Sequence, residues 1–164
     1  MTPPDPGPRD ADEVARLSTE QMWAGDAASR MLGLQVLSVG PGTATVSMRV
    51  REDMVNGWGS CHGGVVAALA DSAFAVACNS RGVVTVAAGF DVTFLEPARP
   101  CDELVATARE TALRGRSGVY DVTVSRRGDD VTVAEFRGRS RSLGRPNPAV
   151  SPPVPPTAEA SAQA

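Results

Sequence analysis

The sequence predicts an α+β protein in which an antiparallel β-sheet wraps around one long α-helix. Residues 62–80 form a run of small and apolar side chains with no polar face, and a helix of that kind has to be buried. Six flanking segments carry the short apolar or alternating patterns that are typical of strands. An amphipathic sheet and a helix that is apolar all round each need cover, and this packing supplies it to both.

Turn-forming residues separate the predicted strands. Residues 34–40 and 43–51 alternate apolar and polar side chains around Gly40-Pro41-Gly42, which predicts a hairpin with one solvent-exposed face. A glycine-rich loop, 52–61, leads into the helix, and Gly82 is the signal that ends it. Four further strands are predicted after the helix, at 83–95, 103–113, 118–126 and 131–142.

We expect one domain, at residues 32–143. Residues 1–31 read as a proline-rich leader followed by two or three short helical turns. Residues 144–164 are rich in Pro, Ala and Ser without periodicity, so we expect a disordered tail. The helix is roughly 27 Å long at 1.5 Å per residue, and one sheet face covers only part of its circumference. We expect a second subunit to cover the rest of the helix surface.

Composition argues against several function classes. The net charge is only −3, and no run of basic residues is interleaved with aromatic residues, so we expect no nucleic-acid partner. Cys61, Cys78 and Cys101 are odd in number and lack a C-x-x-C spacing, which argues against both a disulfide framework and a metal site. The N-terminus has no apolar core of a signal peptide, and no segment reaches membrane-spanning length, so we expect a cytoplasmic protein without a membrane partner.

Asp71 is the only charged residue between His62 and Arg81, and it lies inside the apolar helix. No Lys or Arg stands three or four residues away to neutralise it. Loss of hydration should therefore raise its pKa and leave a basic carboxylate, as a nucleophile or general base requires. The alternative is a structural Asp that backbone or hydroxyl groups hold in place.

The predicted helix begins with two glycines, Gly63 and Gly64. A helix start presents unpaired N–H groups and the positive end of the dipole, and glycine lets a carbonyl oxygen approach the backbone closely. This combination is suited to stabilising an oxyanion. The glycines could instead serve only close packing of the helix. His62 is a lone ring without a partner acid, so we do not assign it as the base.

Two other nucleophiles have the right residue types but the wrong spacing. Ser60, His62 and Asp71 contain the groups of a hydrolase triad, yet neighbours this close in sequence rarely align hydroxyl, ring and carboxylate. Cys61 is adjacent to His62, and adjacent side chains normally diverge at a helix entrance. We therefore expect neither a Ser nor a Cys nucleophile.

Three segments resemble one protein family. They are Asn56-Gly-x-Gly-x-x-His62-Gly63-Gly64, Ala68-Leu69-Ala70-Asp71 and Phe90-Asp-Val-Thr-Phe-Leu-Glu-Pro97. Together they resemble the hotdog-fold acyl-CoA thioesterases of the PaaI type, a family named for phenylacetate degradation. The resemblance covers about residues 32–142. Its specific part is the Asn six residues before the His, with the Asp nine residues after it in an Ala-rich helix.

The resemblance implies a role for each matching residue. Asp71 matches the carboxylate that attacks the thioester or activates water, and Gly63 matches the residue whose backbone N–H polarises the thioester carbonyl. Asn56 matches a loop residue that orients water or the carbonyl, and His62 matches a neighbour that shapes the site. The implied reaction is hydrolysis of acyl-CoA without a cofactor. The alternative is a module of the same fold that binds acyl-CoA without turnover.

Candidate substrate-binding residues complete the hypothesis. We expect the CoA phosphates to be met by arginines in turns, namely Arg81, Arg114 and Arg116. The acyl end, an aryl or a short- to medium-chain group, would be lined by Met54, Val55, Trp58 and Phe74. Gly64 is adjacent to the proposed oxyanion donor, and Ser72 is adjacent to the proposed acid. Some relatives have an auxiliary hydroxyl elsewhere in the chain, and here Ser72 or Thr85 could supply it.

The spacing of Gly63 and Asp71 predicts a shared site. They are eight residues apart on one helix, so they lie about 12 Å apart along the axis. One thioester cannot contact both, because the reacting atoms have to come within about 3.5 Å of each other. A two-fold dimer with antiparallel helices brings the start of one helix to the middle of the other. We therefore expect a homodimer with composite sites, and the resemblance to dimeric hotdog thioesterases implies the same arrangement. We further expect a dimer of dimers, a homotetramer.

Overall fold

The structure is a computed structural model that describes residues 9–150. In chain order the elements are α1 (Ala11–Ala24), α2 (Ala27–Leu32), β1 (Gln35–Gly40), β2 (Thr43–Arg49), a 3-10 turn (Glu52–Met54), α3 (Gly63–Asn79), β3 (Val83–Phe94), β4 (Glu103–Arg114), β5 (Ser117–Arg126) and β6 (Thr132–Pro146). This confirms the predicted antiparallel sheet around one long helix. None of the helices in the described part of the chain is both long and apolar enough to cross a membrane.

The six strands form one sheet in the order β1-β2-β4-β5-β6-β3, and all neighbours are antiparallel. The strand that directly follows α3 is therefore placed at an edge, where it pairs with β6 alone among the described strands. An unpaired strand edge presents free N–H and C=O groups that another chain can complete.

The core lies between α3 and one face of the sheet. Phe74 projects from the helix into the space that Gly138 on β6 leaves open, and a Cβ at Gly138 would lie only 2.7 Å from its ring. The same ring lies 5.4 Å from the Tyr120 ring and 5.9 Å from the Phe136 ring, measured between centroids. This aromatic cluster holds the middle of the helix against the sheet.

One side of α3 is left uncovered by the other elements of residues 9–150. Its exposed or partly exposed residues recur every three or four positions and are mostly small: Gly64, Ala67, Ala68, Asp71, Ser72 and Ala75. Beside it, Phe90 and Phe94 of the edge strand are 43% and 51% exposed. Exposed aromatic residues next to an unpaired edge are typical of a surface that another chain covers.

The N-terminal region differs from the prediction. Instead of short turns, α1 is one continuous helix of 14 residues. Its sequence has a weak apolar pattern, and its buried residues Ala15, Ser18 and Thr19 are small. The helix is therefore fixed by its packing on β1 and α3 rather than by its own pattern. Residues 1–8, the predicted leader, lie outside the described residues.

The disordered tail was predicted to begin at residue 144, which is too early. The last strand continues through Pro146, and Asn147 is only 5% exposed. The Asn147 backbone N–H donates to the Gly82 carbonyl at 2.8 Å, and its side-chain Nδ2 donates to the Ser18 carbonyl at 3.3 Å. Residues 144–150 therefore belong to the folded domain, whereas residues 151–164 of the predicted tail lie outside the described residues.

Replacement of Asn147 tests this correction. Asn147→Ala removes a buried donor from the Ser18 carbonyl, so we expect the free energy of unfolding to fall by about 1–3 kcal/mol in urea denaturation. Arg145→Ala, in the same segment but exposed, should change it by less than about 0.5 kcal/mol. Equal stability of the two variants would show that the segment does not dock.

Candidate active site

Asn56 organises the loop that precedes α3. Its Oδ1 accepts hydrogen bonds from the Trp58 N–H at 2.9 Å and the Ser60 N–H at 3.3 Å, while its Nδ2 donates to Ser60 Oγ at 3.0 Å. Gly59 has a φ of 75°, which allows the tight turn at the tip. The side-chain oxygen of Asn56 thus accepts two hydrogen bonds within the loop, and the second Nδ2 hydrogen has no acceptor among residues 9–150.

The start of α3 offers one open N–H group. His62 is the N-cap, and its Nδ1 accepts a hydrogen bond from the Gly64 N–H at 3.0 Å. Within residues 9–150 the Gly63 N–H has no acceptor. Gly64 is therefore occupied by the cap, whereas Gly63 keeps a free donor at the positive end of the helix dipole.

Phe94 lies over the open N–H. A Cβ at Gly63 would lie 3.1 Å from Phe94 Cζ, which is tight contact, so glycine at this position lets the aromatic ring and the backbone approach each other. Sequence reasoning did not select Phe94 as a site residue. The signal was present in the alternation of Phe90, Val92 and Phe94, which places these side chains on one face of β3.

These groups line a cleft of about 330 Å³ at the helix start. Its walls include Asn56, Ser60, Gly63, Val66, Phe94 and Pro97. The size falls at the lower end of the range of small-molecule sites, and the mixture of apolar walls with a few polar groups is typical of them. Asp71 is not among the lining residues.

Asp71 lies two turns further along the helix. Its Oδ1 is buried and has no hydrogen-bond partner within the described residues. Burial raises the pKa of this carboxyl above its usual value, as the sequence predicted. A buried carboxylate oxygen without a donor is costly, and such groups are concentrated at functional sites. The structural alternative, in which nearby hydroxyl or backbone groups hold this oxygen, has no contact to support it among residues 9–150.

The local geometry also counts against both rival nucleophiles. Ser60 Oγ accepts from Asn56 and His62 Nδ1 accepts from Gly64, so the ring does not bridge Ser60 and Asp71. Cys61 is buried at 6% exposure, and burial raises the pKa of its thiol, which disfavours the reactive thiolate. Among the residues that the structure describes, no group of three His, Cys, Asp or Glu side chains is arranged to hold a metal ion.

The predicted acyl-binding residues are dispersed within one protomer. Met54 and Phe74 are 3% and 1% exposed and belong to the core, so neither lines the cleft of its own chain. Val55 is partly buried and forms an isolated β-bridge with Cys61. Trp58 is 93% exposed at the loop tip, which leaves its indole free to meet a ligand or another chain.

The candidate hydroxyl groups have partners of their own. Ser72 Oγ lies 3.4 Å from Ser29 Oγ of α2, and Thr85 Oγ1 donates to the Val83 carbonyl at 2.9 Å. Of the two, Ser72 is the one adjacent to Asp71, on the partly exposed side of the helix.

The predicted phosphate-binding arginines lie at the opposite end of α3 from the cleft. Arg81 donates from Nε and Nη2 to the two carboxylate oxygens of Glu110, at 3.0 and 2.9 Å. Tyr120 OH donates to the same carboxylate at 2.8 Å. The Arg81 hydrogen bonds hold the pKa of Glu110 below its usual value, so the pair stays ionised and neutral overall. Arg114 and Arg116 flank the turn between β4 and β5 and are exposed.

Comparison with known proteins identifies the family. Residues 59–133 match the thioesterase superfamily model. The chain is 42% identical to the acyl-coenzyme A thioesterase PaaI of Escherichia coli K12, over 75% of this chain and 87% of the relative. The solved structure of E. coli PaaI superposes with a TM-score of 0.81 at 39% identity, over 84% of this chain and 99% of that one. A Thermus thermophilus protein superposes with a TM-score of 0.69 at 39% identity, over 72% of this chain and 98% of that one. The chain therefore belongs to the thioesterase superfamily and, within it, to the PaaI-type thioester hydrolases with the hotdog fold.

Proposed function

We propose that this protein hydrolyses an aryl or short- to medium-chain acyl-CoA to the free acid and CoA, without a metal or organic cofactor. The observation that carries the proposal is that, within residues 9–150, one helix holds both a Gly63 N–H without an acceptor and an Asp71 carboxyl group whose buried Oδ1 has no hydrogen-bond partner. The first group stabilises a developing oxyanion, and the second supplies a basic oxygen. A module that only binds acyl-CoA has no need of the basic Asp71 carboxylate.

The chemistry follows from these two groups. The thioester carbonyl oxygen accepts a hydrogen bond from the Gly63 N–H, so negative charge that develops on it is stabilised at the helix start. Asp71 either attacks the carbonyl carbon to give a mixed anhydride that water then hydrolyses, or removes a proton from a water molecule that attacks directly. In both routes the carbon–sulfur bond breaks and CoA leaves as a thiolate that takes up a proton.

The site is completed by a second copy of the chain. Asn56 and Gly63 line the cleft while Asp71 lies about 12 Å away along the helix axis, so one protomer does not bring them together. The uncovered side of α3 and the exposed aromatic residues of β3 provide a surface on which a second protomer can pack. In a two-fold dimer with antiparallel helices, each site would combine Asn56 and Gly63 of one chain with Asp71 of its partner.

A substrate panel tests the reaction. Purified protein is offered aryl, short-chain and long-chain acyl-CoAs, and the release of free thiol is followed. We expect thiol release with at least one aryl or short- to medium-chain substrate. Tight binding of every acyl-CoA without any thiol release would support the binding-module alternative instead.

Subunit complementation tests the shared site. Equal amounts of Asn56→Ala and Asp71→Asn proteins, each nearly inactive, are unfolded and refolded together. Random pairing makes half of the dimers hybrid, and each hybrid has one site with both lesions and one with neither. We therefore expect activity to recover to roughly a quarter of the wild-type value.

A matched control uses two substitutions at residues that one chain contributes together to each shared site. Asn56→Ala and Gly63→Pro proteins, refolded together, give hybrids in which each site still lacks one group, so no recovery is expected. Hybrid formation is confirmed by mass in both mixtures. If the first mixture never exceeds the sum of its separate components, the shared-site proposal is wrong.

A further inference from the structure

The tip of the Phe94 ring points at the start of α3. A Cβ built on Gly63 would lie 3.1 Å from Phe94 Cζ, 3.2 Å from Cε2 and 3.5 Å from Cε1, which are the three atoms at the far end of the ring. The Gly63 N–H, which has no acceptor within residues 9–150, belongs to the same residue. A carbonyl oxygen bound to that N–H would therefore lie beside the tip of the ring.

The backbone on both sides of this ring is held by β6. Phe94 is the last residue of β3 and pairs with Ala134. Directly after it, the N–H groups of Leu95 and Glu96 donate to the Val133 carbonyl at 2.9 and 3.3 Å. These contacts fix the direction in which the Phe94 side chain leaves the backbone. The ring can therefore move away from the helix start only by rotation about its own side-chain bonds.

The other exposed aromatic residue of β3 has a different environment. The Phe90 ring stacks on the Phe136 ring, with centroids 4.7 Å apart and an angle of 28° between the planes. Phe94 has no such aromatic partner within residues 9–150. It lines the cleft at the helix start, whereas Phe90 does not. Phe94 is therefore the aromatic residue of this strand that a bound substrate would meet.

The surroundings of the Gly63 N–H leave the cleft to the acyl group. Beside Phe94, the walls of the cleft include the apolar residues Val66 and Pro97. The CoA moiety is large and charged, so it has to remain at the open side, and the apolar cleft receives the acyl group. The acyl α-carbon is only two bonds from the carbonyl oxygen. It would therefore lie next to the tip of the Phe94 ring.

We propose that Phe94 determines which acyl groups the site accepts, an inference that rests on the proposed function. It admits an acyl group whose α-carbon is a CH₂ group and rejects one that carries a substituent on the side facing the ring. Such a substituent has to displace a ring whose backbone is held in place, and overpacking of this kind is costly. One added carbon in a tight apolar pocket changes kcat/KM by about 10- to 200-fold. Only one enantiomer of an α-methyl acyl group directs its methyl toward the ring, so the site discriminates between the two.

The test measures kcat/KM for the separate enantiomers of 2-phenylpropanoyl-CoA, with phenylacetyl-CoA as the unbranched reference. The enantiomers have the same intrinsic reactivity and hydrophobicity, so their ratio reports only the shape of the site. We expect the wild type to hydrolyse one enantiomer at least about tenfold less efficiently than the other. Phe94→Ala removes the ring and should raise kcat/KM for the slower enantiomer until the two agree within about threefold. Phe90→Ala, on the same strand but outside the cleft, is the matched control and should keep the wild-type ratio.

The ratio is insensitive to how much of a variant is correctly folded, because both enantiomers are offered to the same preparation. If Phe94→Ala does not fold, Phe94→Leu replaces it and should shift the ratio in the same direction. The inference is overturned if the wild type hydrolyses both enantiomers equally well, or if loss of the ring leaves the ratio unchanged. Hydrolysis of phenylacetyl-CoA in the same experiments would leave the thioesterase proposal standing.

Calorimetric titration separates this inference from the proposed function when no thioester is hydrolysed. The Kd values of the two enantiomers are then compared in the wild type and in Phe94→Ala. If the wild type binds one enantiomer at least about tenfold more weakly and Phe94→Ala abolishes the difference, the role of Phe94 is supported while the hydrolytic proposal fails. If the enantiomers bind equally to both proteins, the two proposals fail together.

Discussion

Asp71→Asn should lower kcat by at least about 10²-fold while the protein still folds and binds CoA. General-base catalysis alone contributes roughly 10²- to 10⁴-fold, and a covalent route would lose more because an amide is a poor nucleophile. The expected effect is on kcat rather than KM, since the carboxylate acts on the reacting atoms. Asp129→Asn, a carboxylate at the exposed β5–β6 turn, is the matched control and should turn over like the wild type.

The pH profile gives the same prediction a second measurement. Burial raises the pKa of Asp71, so wild-type kcat/KM should fall with decreasing pH at values above those of an ordinary carboxyl group. The residual activity of Asp71→Asn should lack this acid limb. A folded Asp71→Asn protein with near wild-type turnover, or with an unchanged acid limb, would show that Asp71 is neither the nucleophile nor the general base.

Stability distinguishes the catalytic from the structural interpretation of Asp71. The pKa of Asp71 is raised in the folded state, so the protonated carboxyl group favours folding. This contribution to stability is fully present below the unfolded-state pKa, and it is lost as the pH rises through the folded-state pKa. At neutral pH the buried charge is therefore destabilising. The neutral Asn side chain should leave the protein at least as stable as the wild type. A clear fall in melting temperature would instead indicate a structural Asp.

The architecture was predictable because it depends on local pattern. The long helix was predicted at 62–80 and is found at Gly63–Asn79, since a run of small apolar residues between a glycine-rich loop and Gly82 permits little else. The end of β6 was missed because Leu143-Gly144-Arg145-Pro146 has no strand pattern. Its place is set by pairing with β3 and by the buried Asn147, which are contacts distant in sequence.

The candidate site was predictable in its residues but not in its hydrogen bonds. Asp71 and Gly63 stand out because a lone charge and paired glycines are anomalous in an apolar helix. That His62 caps Gly64, and so leaves Gly63 as the open donor, depends on a side-chain rotation that no spacing reveals. The Arg81–Glu110 pair likewise joins residues 29 positions apart across the fold. Sequence reasoning therefore found the chemical groups and missed which of them were already occupied.

Gly63→Pro should lower kcat by about 10²- to 10³-fold relative to Gly63→Ala. Gly63 is the first residue of α3, the position at which a helix tolerates proline best, because its N–H has no intrahelical partner. The preceding residue, His62, already has a φ of −61° and a ψ of 131°, the extended conformation that a following proline favours. Proline therefore removes the proposed oxyanion donor with little cost to the helix.

Alanine at the same position is the control that isolates this hydrogen. A Cβ at residue 63 meets the Phe94 ring at 3.1 Å in both variants, so this crowding is shared. The ratio of their kcat values reports the loss of the N–H together with the effect of the proline Cδ that replaces its hydrogen. Both proteins are checked by circular dichroism and thermal melting, and CoA affinity should be similar because the donor acts on charge that develops in the transition state. If the two kcat values agree within about threefold, less than the loss of one oxyanion donor predicts, the Gly63 N–H does not stabilise the oxyanion.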